Sequence, residues 1–423
     1  MSYPDSVRYL YALGNELKVG AKFGLERMQT LLAALGNPER LQRFVHVAGT
    51  NGKGSTCAMI ASILRAAGLR TGLYTSPHLI EPTERIQIGG VPLTAKQFAD
   101  AFQVVHEAAE RLIAQEKINA HPSYFETVTA MALVVFREQC DVCVVEVGLG
   151  GRLDATNVLL PELCVITPVS FDHEAYLGNK LESIAFEKAG IIKWQVPLVL
   201  AQQMAVADAV ITNRAEEQQA PIIRTSTVQL TSISTHSGGS SFQIDGDHYE
   251  CPLPGRHQIE NAVAAILAGR QLGVTAPALQ SGLKNTAWPG RLEHVSRDPE
   301  FILDGAHNPA GAAALASYIR DFYSARPVWI VYGAMRDKAI EEVTSQLFPL
   351  AERLIVTAPN FPRALRPETI LEIAPHPGAQ ITSSVAEAIE LARTAPKGAA
   401  VFFTGSLFLV GEARRLLLRQ PVS

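Results

Sequence analysis

The chain has 423 residues, of which 47% are hydrophobic and 18% are charged, and its formal net charge is −4 at pH 7. This composition excludes a disordered or collagen-like chain and predicts a globular protein with enough apolar material for two domains. The lack of a net positive charge argues against a nucleic-acid partner, because binding to a phosphate backbone depends on clustered Lys and Arg.

The amino terminus, MSYPDSVRYLYALG, does not have the basic segment and long apolar stretch of a secretory signal. The sequence also has no apolar run of about 18 residues, the length that a membrane helix needs. We therefore expect a cytoplasmic protein without a membrane partner. Five cysteines are an odd set in a long chain, which is typical of reduced thiols. Cys140 and Cys143 form a CxxC pair at the start of an apolar run, and we interpret them as buried strand thiols.

The first clear strand is predicted at Phe44–Ala48, and a Gly-rich turn and a helix follow it. The turn reads Gly49-Thr50-Asn51-Gly52-Lys53-Gly54-Ser55. In this position backbone N–H groups and the helix N-terminus point at one place, which favours a polyanion. Lys53 adds a positive charge for the β- and γ-phosphates, and the hydroxyl of Ser55 or Thr56 can reach a Mg²⁺. The turn therefore predicts a triphosphate site.

The match to the phosphate-loop pattern GxxxxGK[ST] is imperfect. Val47 occupies the first glycine position, and Gly54 follows the lysine. The alternative is a Gly-rich turn that only permits close packing. The strand before the turn and the helix after it favour the phosphate site.

Short apolar runs alternate with helical patterns along the next part of the chain, as in an α/β fold. Strands that we expect to share one sheet with the first are Val142–Val147, Leu163–Val169 and Pro197–Ala201. Helices are predicted at Ser183–Ile192 and His257–Leu272. Residues 222 to 252 alternate in polarity around a Ser-Gly-Gly-Ser turn, which predicts a hairpin attached to the first domain.

A second, smaller domain is predicted after a segment rich in turn-forming residues between Trp288 and Pro299. We place the boundary near 295, so that the domains cover residues 1–295 and 296–423. Strands alternate with amphipathic helices in the second domain, which indicates a small doubly wound, Rossmann-like sheet. Its strands are expected at Phe301–Leu303, Val328–Tyr332, Arg353–Thr357, Gln380–Ser383 and Ala400–Thr404. The predicted fold class is α/β, with a phosphate-loop domain built on a parallel sheet.

Six motifs occur along the chain in the order seen in folylpolyglutamate synthases. They are Gly49–Ser55, Tyr74–His78, Glu146–Asn157, Asp172-His173, Glu187–Ile191 and Asp304–Pro309. The segment Thr404–Val410 also matches the Thr-Gly-Ser segment of that family. From about residue 20 to about residue 412 the chain resembles the folylpolyglutamate synthase and dihydrofolate synthase family, which is related to the Mur ligases.

The resemblance implies an ATP-dependent ligase with a Mur ligase-like first domain, a Rossmann-like second domain and ATP in the cleft between them. A substrate carboxylate attacks the γ-phosphate, and the amine of glutamate then displaces phosphate from the acyl phosphate. The expected partners are ATP, L-glutamate and dihydropteroate or a folate. We also expect a monomer, about two Mg²⁺ ions and a monovalent cation.

By resemblance, Ser76, Glu146 and His173 are magnesium ligands. Metal ions are needed because an anionic carboxylate must approach an anionic triphosphate. Glu146 and His173 follow successive strands, at the sheet edge where open α/β sheets bind ligands. Taken singly, these residues are equally well read as a capping serine, a solvated glutamate and a histidine bonded to backbone.

Lys188 matches the lysine that relatives carry as a carbamate. A lysine with an ordinary pKa of about 10.4 is cationic at neutral pH, whereas its carbamate is an anionic oxygen ligand for a second Mg²⁺. The catalytic residues that we expect are therefore Lys53, His173 and Lys188. The periodicity alone favours the alternative, a surface lysine paired with Glu182 or Glu187.

In the second domain the resemblance assigns ATP contacts to Asp304 and His307, with Arg291 at the domain junction and Asn261 before it. Together with the residues of the loop, the expected ATP-binding set is Thr50, Asn51, Gly52, Lys53, Gly54, Ser55, Asn261, Arg291, Asp304 and His307. An Asp-Gly turn followed by an Asn-Pro cap is a structural alternative for the motif at Asp304.

For the pterin-bearing substrate the resemblance points to three segments. They are Lys22-Phe23, Ser123-Tyr124-Phe125-Glu126 and Leu153-Asp154-Ala155. Aromatic rings can stack on a flat heterocycle, and a carboxylate can accept hydrogen bonds from its amino and ring N–H groups. Core packing at the start of a helix is the alternative for Tyr124 and Phe125.

Two other functions compete with the folate interpretation. A Mur-type peptidoglycan ligase shares the loop and the lysine, but about forty residues before the first strand are too few for the extra domain that binds the UDP group. A nucleotide-binding switch that hydrolyses ATP without an amino-acid acceptor leaves the metal set unexplained. The residues from Ser123 to Glu126 resemble those of bifunctional bacterial enzymes, so we expect both synthase activities.

Overall fold

The computed structural model describes residues 1–13, 24–336 and 338–419, and in these residues the strands form three sheets. The strands are β1 (Arg43–Ala48), β2 (Thr71–Tyr74), β3 (Ile86–Ile88), β4 (Val91–Pro92), β5 (Val142–Glu146), β6 (Leu163–Ile166), β7 (Leu198–Leu200), β8 (Ile222–Arg224), β9 (Leu230–His236), β10 (Gly239–Ile244), β11 (Asp247–Cys251), β12 (Glu293–His294), β13 (Glu300–Leu303), β14 (Val328–Tyr332), β15 (Arg353–Val356), β16 (Ala379–Ile381) and β17 (Ala400–Thr404). The helices are α1 (Tyr3–Ala12), α2 (Glu26–Ala34), α3 (Lys53–Ala66), α4 (Ala95–Ala114), α5 (Tyr124–Gln139), α6 (Glu174–Leu177), α7 (Leu181–Ala189), α8 (Ala205–Glu217), α9 (His257–Gln271), α10 (Ala276–Lys284), α11 (Pro309–Tyr323), α12 (Ile340–Leu347), α13 (Pro367–Ile373), α14 (Val385–Ala392) and α15 (Leu407–Arg419).

The first sheet has the strand order β4-β3-β2-β5-β1-β6-β7-β8. Strand β1 lies in its middle and pairs in parallel with β5 on one side and β6 on the other. The predicted strands of the first half therefore do share one sheet. The prediction was wrong for residues 222–224, because Ile222–Arg224 is the eighth strand of this sheet and not part of the hairpin.

Helices cover both faces of the first sheet, which is why its central strands are apolar along their whole length. On one face α3, α9 and α10 pack together, with Ile60, Ile63 and Ile266 in one buried cluster. On the other face α5 packs on the sheet, and α4 packs against α5. This arrangement leaves the carboxyl ends of β1, β5 and β6 as the open edge where a ligand can bind.

The predicted hairpin is a three-stranded antiparallel sheet of β9, β10 and β11. Strand β9 ends at His236 and β10 begins at Gly239, so the turn lies at the predicted Ser-Gly-Gly-Ser segment. Ser237 in this turn accepts a hydrogen bond of 2.6 Å from the Tyr318 hydroxyl of α11. The small sheet therefore also contacts the second half of the chain.

The second large sheet has the order β12-β13-β17-β14-β15-β16. Its five predicted strands are all present, with ends that differ by one or two residues, and all five run parallel. Strand β12 pairs with β13 in an antiparallel manner, so this sheet begins at Glu293. The division of the chain near residue 295 stays a prediction.

No helix in the described part of the chain is both long and apolar enough to cross a membrane.

The five cysteines are buried free thiols. Cys140 and Cys143 are buried as predicted, but only Cys143 is a strand thiol, because it lies within β5 whereas Cys140 is the residue that follows α5.

Candidate active site

The Gly-rich turn connects β1 to α3 as predicted. Gly49 and Gly52 have φ angles of 141° and 85°, which favour glycine, and α3 begins at Lys53. The backbone N–H groups of Thr50 and Asn51 donate to the Pro168 carbonyl at 3.0 and 3.3 Å. The turn is thus fixed to the segment after β6, with the N-terminus of α3 facing the cleft, which is the arrangement that binds phosphates.

All ten candidate ATP residues and all four candidate metal ligands line one cavity. Its volume is about 330 Å³, and it lies between the phosphate-loop turn and the second large sheet. The residues that the structure brings together here are Thr50, Asn51, Gly52, Lys53, Gly54, Ser55, Ser76, Glu146, His173, Lys188, Asn261, Arg291, Asp304 and His307. They come from eight separate segments of the chain, so the cavity depends on the whole fold.

Glu146 ends β5 and is buried at the base of this cavity. One carboxylate oxygen accepts a hydrogen bond of 3.1 Å from the Ser76 backbone N–H. Burial raises the pKa of Glu146, while the nearby charges of Lys53 and Arg291 oppose that increase. An ionised carboxylate with few hydrogen-bond donors in a buried site is suited to a cation.

His173 adopts a left-handed conformation with φ 54° at the start of α6. Its Nδ1 atom is buried and has no hydrogen-bond partner among the residues that the structure describes. Burial lowers its pKa to about 4, so the imidazole is neutral at pH 7 and has a free lone pair. This is the form in which histidine binds a metal.

Asp172 connects the two halves of the cleft, a role that the sequence did not predict. Its carboxylate contacts Lys338 Nζ at 2.7 Å and accepts a hydrogen bond of 3.1 Å from Asn308 Nδ2. Asn308 also donates to the Asn51 side chain at 3.0 Å. Burial alone raises the pKa of Asp172, but His307, His173 and Lys338 lower it well below its usual range.

Replacing Asp172 with Asn is expected to destabilise the protein by about 3–5 kcal/mol, because Lys338 is left buried without its counter-ion. The two side chains are only 9% and 10% exposed. We expect the double variant Asp172→Asn, Lys338→Met to lose less free energy of unfolding than the two single variants lose together, by about 0.5–3 kcal/mol. Urea unfolding of the four proteins measures this coupling.

The exposed pair Lys284 and Glu250, with side chains 61% and 47% exposed, is the matched control. Its coupling free energy should be about 1 kcal/mol or less. Strictly additive losses for Asp172 and Lys338 would contradict an energetic link across the cleft.

Lys188 is buried on α7 and is not the surface lysine of the alternative interpretation. Its Nζ atom donates to the Gly49 carbonyl at 2.7 Å, and Glu187 pairs with Arg152 at 2.8 Å instead. Burial, together with the charge of Lys53, lowers the pKa of Lys188 to about 7. A large fraction of this amine is therefore uncharged and nucleophilic at neutral pH.

The second sheet places Asp304 and His307 directly after β13. The Asp304 carboxylate accepts hydrogen bonds of 3.0 Å from the backbone N–H groups of Leu292 and Ala306. It therefore holds the Arg291 segment against its own strand. Asn261 on α9 donates to Gln258, which in turn donates to the Ser55 hydroxyl at 3.3 Å. The contacts of Asn261 and Gln258 join the α9 wall of the cavity to the phosphate-loop turn.

A second cavity of about 240 Å³ lies beside the first. Of the pterin candidates, those that line it are Ser123, Phe125, Glu126, Leu153, Asp154 and Ala155. Glu126 is held by the Arg27 guanidinium, with an N–O distance of 2.8 Å, and by the Ser123 backbone N–H at 2.7 Å. The Phe125 ring lies against Gly148, where a Cβ atom would collide with it.

Tyr124 is not among the residues that line this cavity. Its ring is buried and stacks on Tyr11 with centroids 5.8 Å apart, while the Arg85 guanidinium lies 5.0 Å above it. The core-packing interpretation therefore describes its position. Lys22 and Phe23 lie outside the described residues, whereas the neighbouring Gly24 lines the cavity.

Several lining residues were missed by the sequence analysis. They are Arg27, Leu149, Met335, Lys338, Arg363, Ser406, Leu407 and Phe408. Ser406 and its neighbours belong to a segment that had been recognised, and Arg27 follows another, so proximity to these motifs was a usable signal. The loops that carry Met335 and Arg363 have no motif, and only the packing of the two domains brings them to the cavity.

The two cavities share a wall. Residues that line both are Ser76, Pro77, Gly148, Leu149, His173, His307 and Leu407. A molecule in the smaller cavity would therefore lie next to a triphosphate in the larger cavity, at the place where the side chains of two metal candidates lie. This arrangement suits a reaction between a bound acceptor and a γ-phosphate.

The four metal candidates are an incomplete ligand set. Among the described residues no group of three or more His, Cys, Asp or Glu comes together to hold a metal ion. Mg²⁺, however, is usually bound by one or two carboxylates together with substrate phosphates and water. Glu146, with the Ser76 hydroxyl and the unpartnered His173 nitrogen, fits an ion that arrives with ATP.

Two family models match the chain: the Mur ligase middle domain over residues 47–269, and the glutamate ligase domain of Mur ligases over residues 290–407. The dihydrofolate synthase/folylpolyglutamate synthase of Bacillus subtilis is 36% identical over 433 residues, which cover 98% of this chain and 99% of the relative. The corresponding enzyme of Mycobacterium tuberculosis is 34% identical over 442 residues, which cover 94% and 90%.

Solved structures agree with the sequence relatives. The folylpolyglutamate synthase of Mycobacterium tuberculosis complexed with ADP and AMPPCP has a TM-score of 0.91 and 32% identity, and the match covers 99% of this chain and 100% of that chain. Escherichia coli FolC in complex with DHPP and ADP has a TM-score of 0.87 and 31% identity, with 99% and 98% covered. Matches over the full length favour the folate interpretation over a peptidoglycan ligase or a switch. The chain therefore belongs to the folylpolyglutamate synthase and dihydrofolate synthase family, a family of ATP-dependent Mur ligases whose members form amide bonds with glutamate.

Proposed function

We propose that this enzyme carries out both family reactions: it adds the first glutamate to dihydropteroate and further glutamates to reduced folates. The proposal rests on the wall that the two cavities share at Ser76, Gly148 and His173. One cavity contains the phosphate-loop turn, and the other has the lining expected for a flat heterocycle. The acceptor carboxylate can therefore reach the γ-phosphate while both substrates are bound.

In the nucleotide cavity, the backbone N–H groups at the N-terminus of α3 and the Lys53 ammonium bind the phosphates. Asn261 and Asp304 form the side walls, while Arg291 approaches from the domain junction and His307 from the second domain. Mg²⁺, when bound, neutralises phosphate charge and acts as a Lewis acid. Ser76, Glu146 and His173 are the residues of this chain that we expect to hold it, because they lie beside the turn and Glu146 supplies the negative charge.

Lys188 is proposed to be carbamylated. Its amine is buried, forms no salt bridge with any residue that the structure describes, and donates to the Gly49 carbonyl beside the phosphate loop. A pKa of about 7 provides the uncharged amine that attacks CO₂, and loss of a proton then leaves an anionic carbamate. The product would supply the second oxygen ligand group that the cluster around Glu146 and His173 does not have.

In the acceptor cavity, apolar side chains and two aromatic rings are proposed to hold the pterin. Phe125 forms one face, with Leu153 on the same domain and Phe408 across the cleft. Arg27, Lys338 and Arg363 provide positive charge near the opening, which suits the carboxylates of the glutamate tail. Dihydropteroate and folates share the pterin and differ in this tail, so one cavity can take both.

The proposed chemistry has two steps. A carboxylate oxygen of the acceptor forms a bond to the γ-phosphorus as the bond to ADP breaks, which gives an acyl phosphate. The amine of L-glutamate then attacks the carbonyl carbon, inorganic phosphate leaves, and the amine loses a proton. Residues from both domains contact both cavities, so closure of the cleft excludes water that would hydrolyse the acyl phosphate.

A monovalent cation, a monomeric state and a cytoplasmic location stay predictions. The same applies to the absence of nucleic-acid and membrane partners.

The two activities are tested by incubating the enzyme with ATP, Mg²⁺ and L-glutamate, with dihydropteroate or tetrahydrofolate as the acceptor. We expect ADP and phosphate release with each acceptor, one glutamate added to dihydropteroate in the first product, and several added to tetrahydrofolate. Mass spectrometry of the products counts the glutamates. Reactions without glutamate are the control, and turnover with only one acceptor would restrict the enzyme to that activity.

A further inference from the structure

A buried hydrogen-bond chain runs from the middle of the first sheet to the wall of the acceptor cavity, and the proposed function does not use it. His46 lies in the central strand β1 and is fully buried. Its Nε2 atom is 2.8 Å from the Thr156 hydroxyl, which is hydrogen-bonded to the Asp154 carboxylate. Asp154 lines the acceptor cavity. These hydrogen bonds thus connect a core residue to the wall of the acceptor cavity.

The Asp154 carboxylate is held by donors on both of its oxygens. One oxygen accepts hydrogen bonds from the backbone N–H groups of Gly148 at 3.1 Å and Leu149 at 2.9 Å. The other accepts from the Thr156 backbone N–H at 3.0 Å and from its hydroxyl. Burial raises the pKa of Asp154, but three backbone N–H groups and the Thr156 hydroxyl oppose that increase and favour the ionised carboxylate, which can only accept.

The donor and the acceptor in each of these hydrogen bonds follow from the number of protons on each group. If Asp154 accepts a hydrogen bond from the Thr156 hydroxyl, that hydroxyl uses its only proton in this bond. Its contact with His46 must then be a hydrogen bond that the hydroxyl accepts. His46 therefore carries a proton on Nε2, and burial lowers its pKa to about 3, so the imidazole is neutral at pH 7. Its Nδ1 atom is buried and has no hydrogen-bond partner among the described residues. An apolar side chain in β1 would avoid that loss of stability, so packing alone does not account for a histidine here.

Gly148 and Leu149, which Asp154 holds, form part of the wall between the acceptor cavity and the nucleotide cavity. They follow Glu146 by two and three residues, and the Phe125 ring packs directly on Gly148. A shift of this turn would move the surface against which the acceptor binds. The position of the wall therefore depends on where the Asp154 carboxylate is fixed.

We propose that His46 and Thr156 are positioning residues that orient Asp154 and thereby hold the Gly148–Leu149 wall in the shape that binds the acceptor. Neither residue lines the acceptor cavity or the nucleotide cavity. This inference rests on the proposed function for its effect on acceptor binding, but the hydrogen-bond chain itself is a property of the protein alone.

The first test measures the tautomer of His46 in the complete, unmodified protein by ¹⁵N NMR of labelled histidine. The resonance is assigned by its loss in His46→Gln. We expect the proton on Nε2 in the parent protein, and a changed Nε2 resonance in Thr156→Val, which removes the hydroxyl. A proton on Nδ1 in the parent would overturn the proposal, and this result does not depend on any activity.

The second test measures steady-state kinetics with dihydropteroate as the varied acceptor. Thr156→Val is expected to raise the acceptor KM about tenfold, the effect of one lost hydrogen bond, with smaller changes in kcat and in the KM for ATP. Thr156→Ser keeps the hydroxyl, and His46→Gln keeps an N–H donor near the Nε2 position, so both should stay within about twofold of the parent. An unchanged acceptor KM in a folded Thr156→Val variant would overturn the proposed effect on the wall.

Failure of the proposed function would appear differently. In that case the parent enzyme itself would not use dihydropteroate or tetrahydrofolate, while the His46 tautomer would be as predicted.

Discussion

Replacement of Lys188 with Ala should lower turnover by about 10²- to 10³-fold, the size of effect seen when one group that stabilises transition-state charge is removed. The reason is the loss of an anionic carbamate beside the phosphate loop, at the place where Lys188 Nζ now contacts the Gly49 carbonyl. Steady-state phosphate release with saturating substrates measures the change. Acetate or formate should restore part of the activity, because a small carboxylate can occupy the space of the carbamate.

The Lys188→Arg variant separates the carbamate from the hydrogen bond. Arginine keeps a donor and a positive charge but remains protonated, so it does not react with CO₂. We expect it to be as inactive as the alanine variant, whereas Lys180→Ala, an exposed residue beside the same helix, should be fully active. A ¹³C NMR resonance of a carbamate after addition of labelled bicarbonate is the direct readout. Normal turnover of Lys188→Arg would remove the carbamate from the mechanism.

Replacement of Glu146 with Gln should change activity and stability in opposite directions. Activity should fall by about 10²- to 10³-fold, because the amide has the size of the carboxylate but not its negative charge. The folded protein should become more stable at neutral pH, because burial raises the pKa of Glu146 and its ionisation is therefore unfavourable in the folded state.

The pH dependence follows from the sign of that shift. A carboxyl group whose pKa is higher in the folded than in the unfolded protein stabilises the fold at pH values below its pKa in the unfolded protein. This contribution to the free energy of unfolding is lost as the pH rises through the pKa of the folded protein. The gain of Glu146→Gln should thus be present at pH 7 and disappear as the pH falls below about 4.5, the ordinary range of glutamate. Thermal unfolding across this pH range, without ATP or Mg²⁺, provides the measurement.

Glu162→Gln is the control, because Glu162 forms an exposed ion pair with Arg43 at 2.8 Å. Its replacement should alter neither turnover nor stability by much. A Glu146→Gln enzyme with full activity would show that the buried carboxylate has no part in the reaction.

The elements that were predicted well are those whose signal is local. The strand, turn and helix from Phe44 onwards were recognised because an apolar run, a Gly-rich turn with a lysine and a helical pattern follow one another in the sequence. The structure then gives Gly49 and Gly52 positive φ angles. Apolar runs also identified the strands of the second sheet. The helix Ala95–Ala114 was omitted although its capping box at Thr94 and Gln97 was a sufficient signal.

Other elements depend on their neighbours. Strands β2, β3 and β8 have three or four residues each, and pairing with an adjacent strand defines them more than their composition does. Ile222–Arg224 was assigned to the hairpin for this reason. Its alternating residues fit an antiparallel strand equally well, and only its contact with β7 places it in the parallel sheet.

By itself the sequence determined the fold class and the phosphate loop, because these follow from local patterns. The other residues that meet in the nucleotide cavity were implied by the family resemblance, which depends on motifs in a particular order. The tertiary structure alone decided the chemical state of those residues. Lys188 acquires a pKa of about 7 only because distant segments bury it, with its amine bonded to a carbonyl 139 residues away. The contacts of Asp172 with Lys338 and Asn308 likewise join segments more than 130 residues apart. Burial and electrostatic interactions depend on distances in space, which spacing along the chain does not specify.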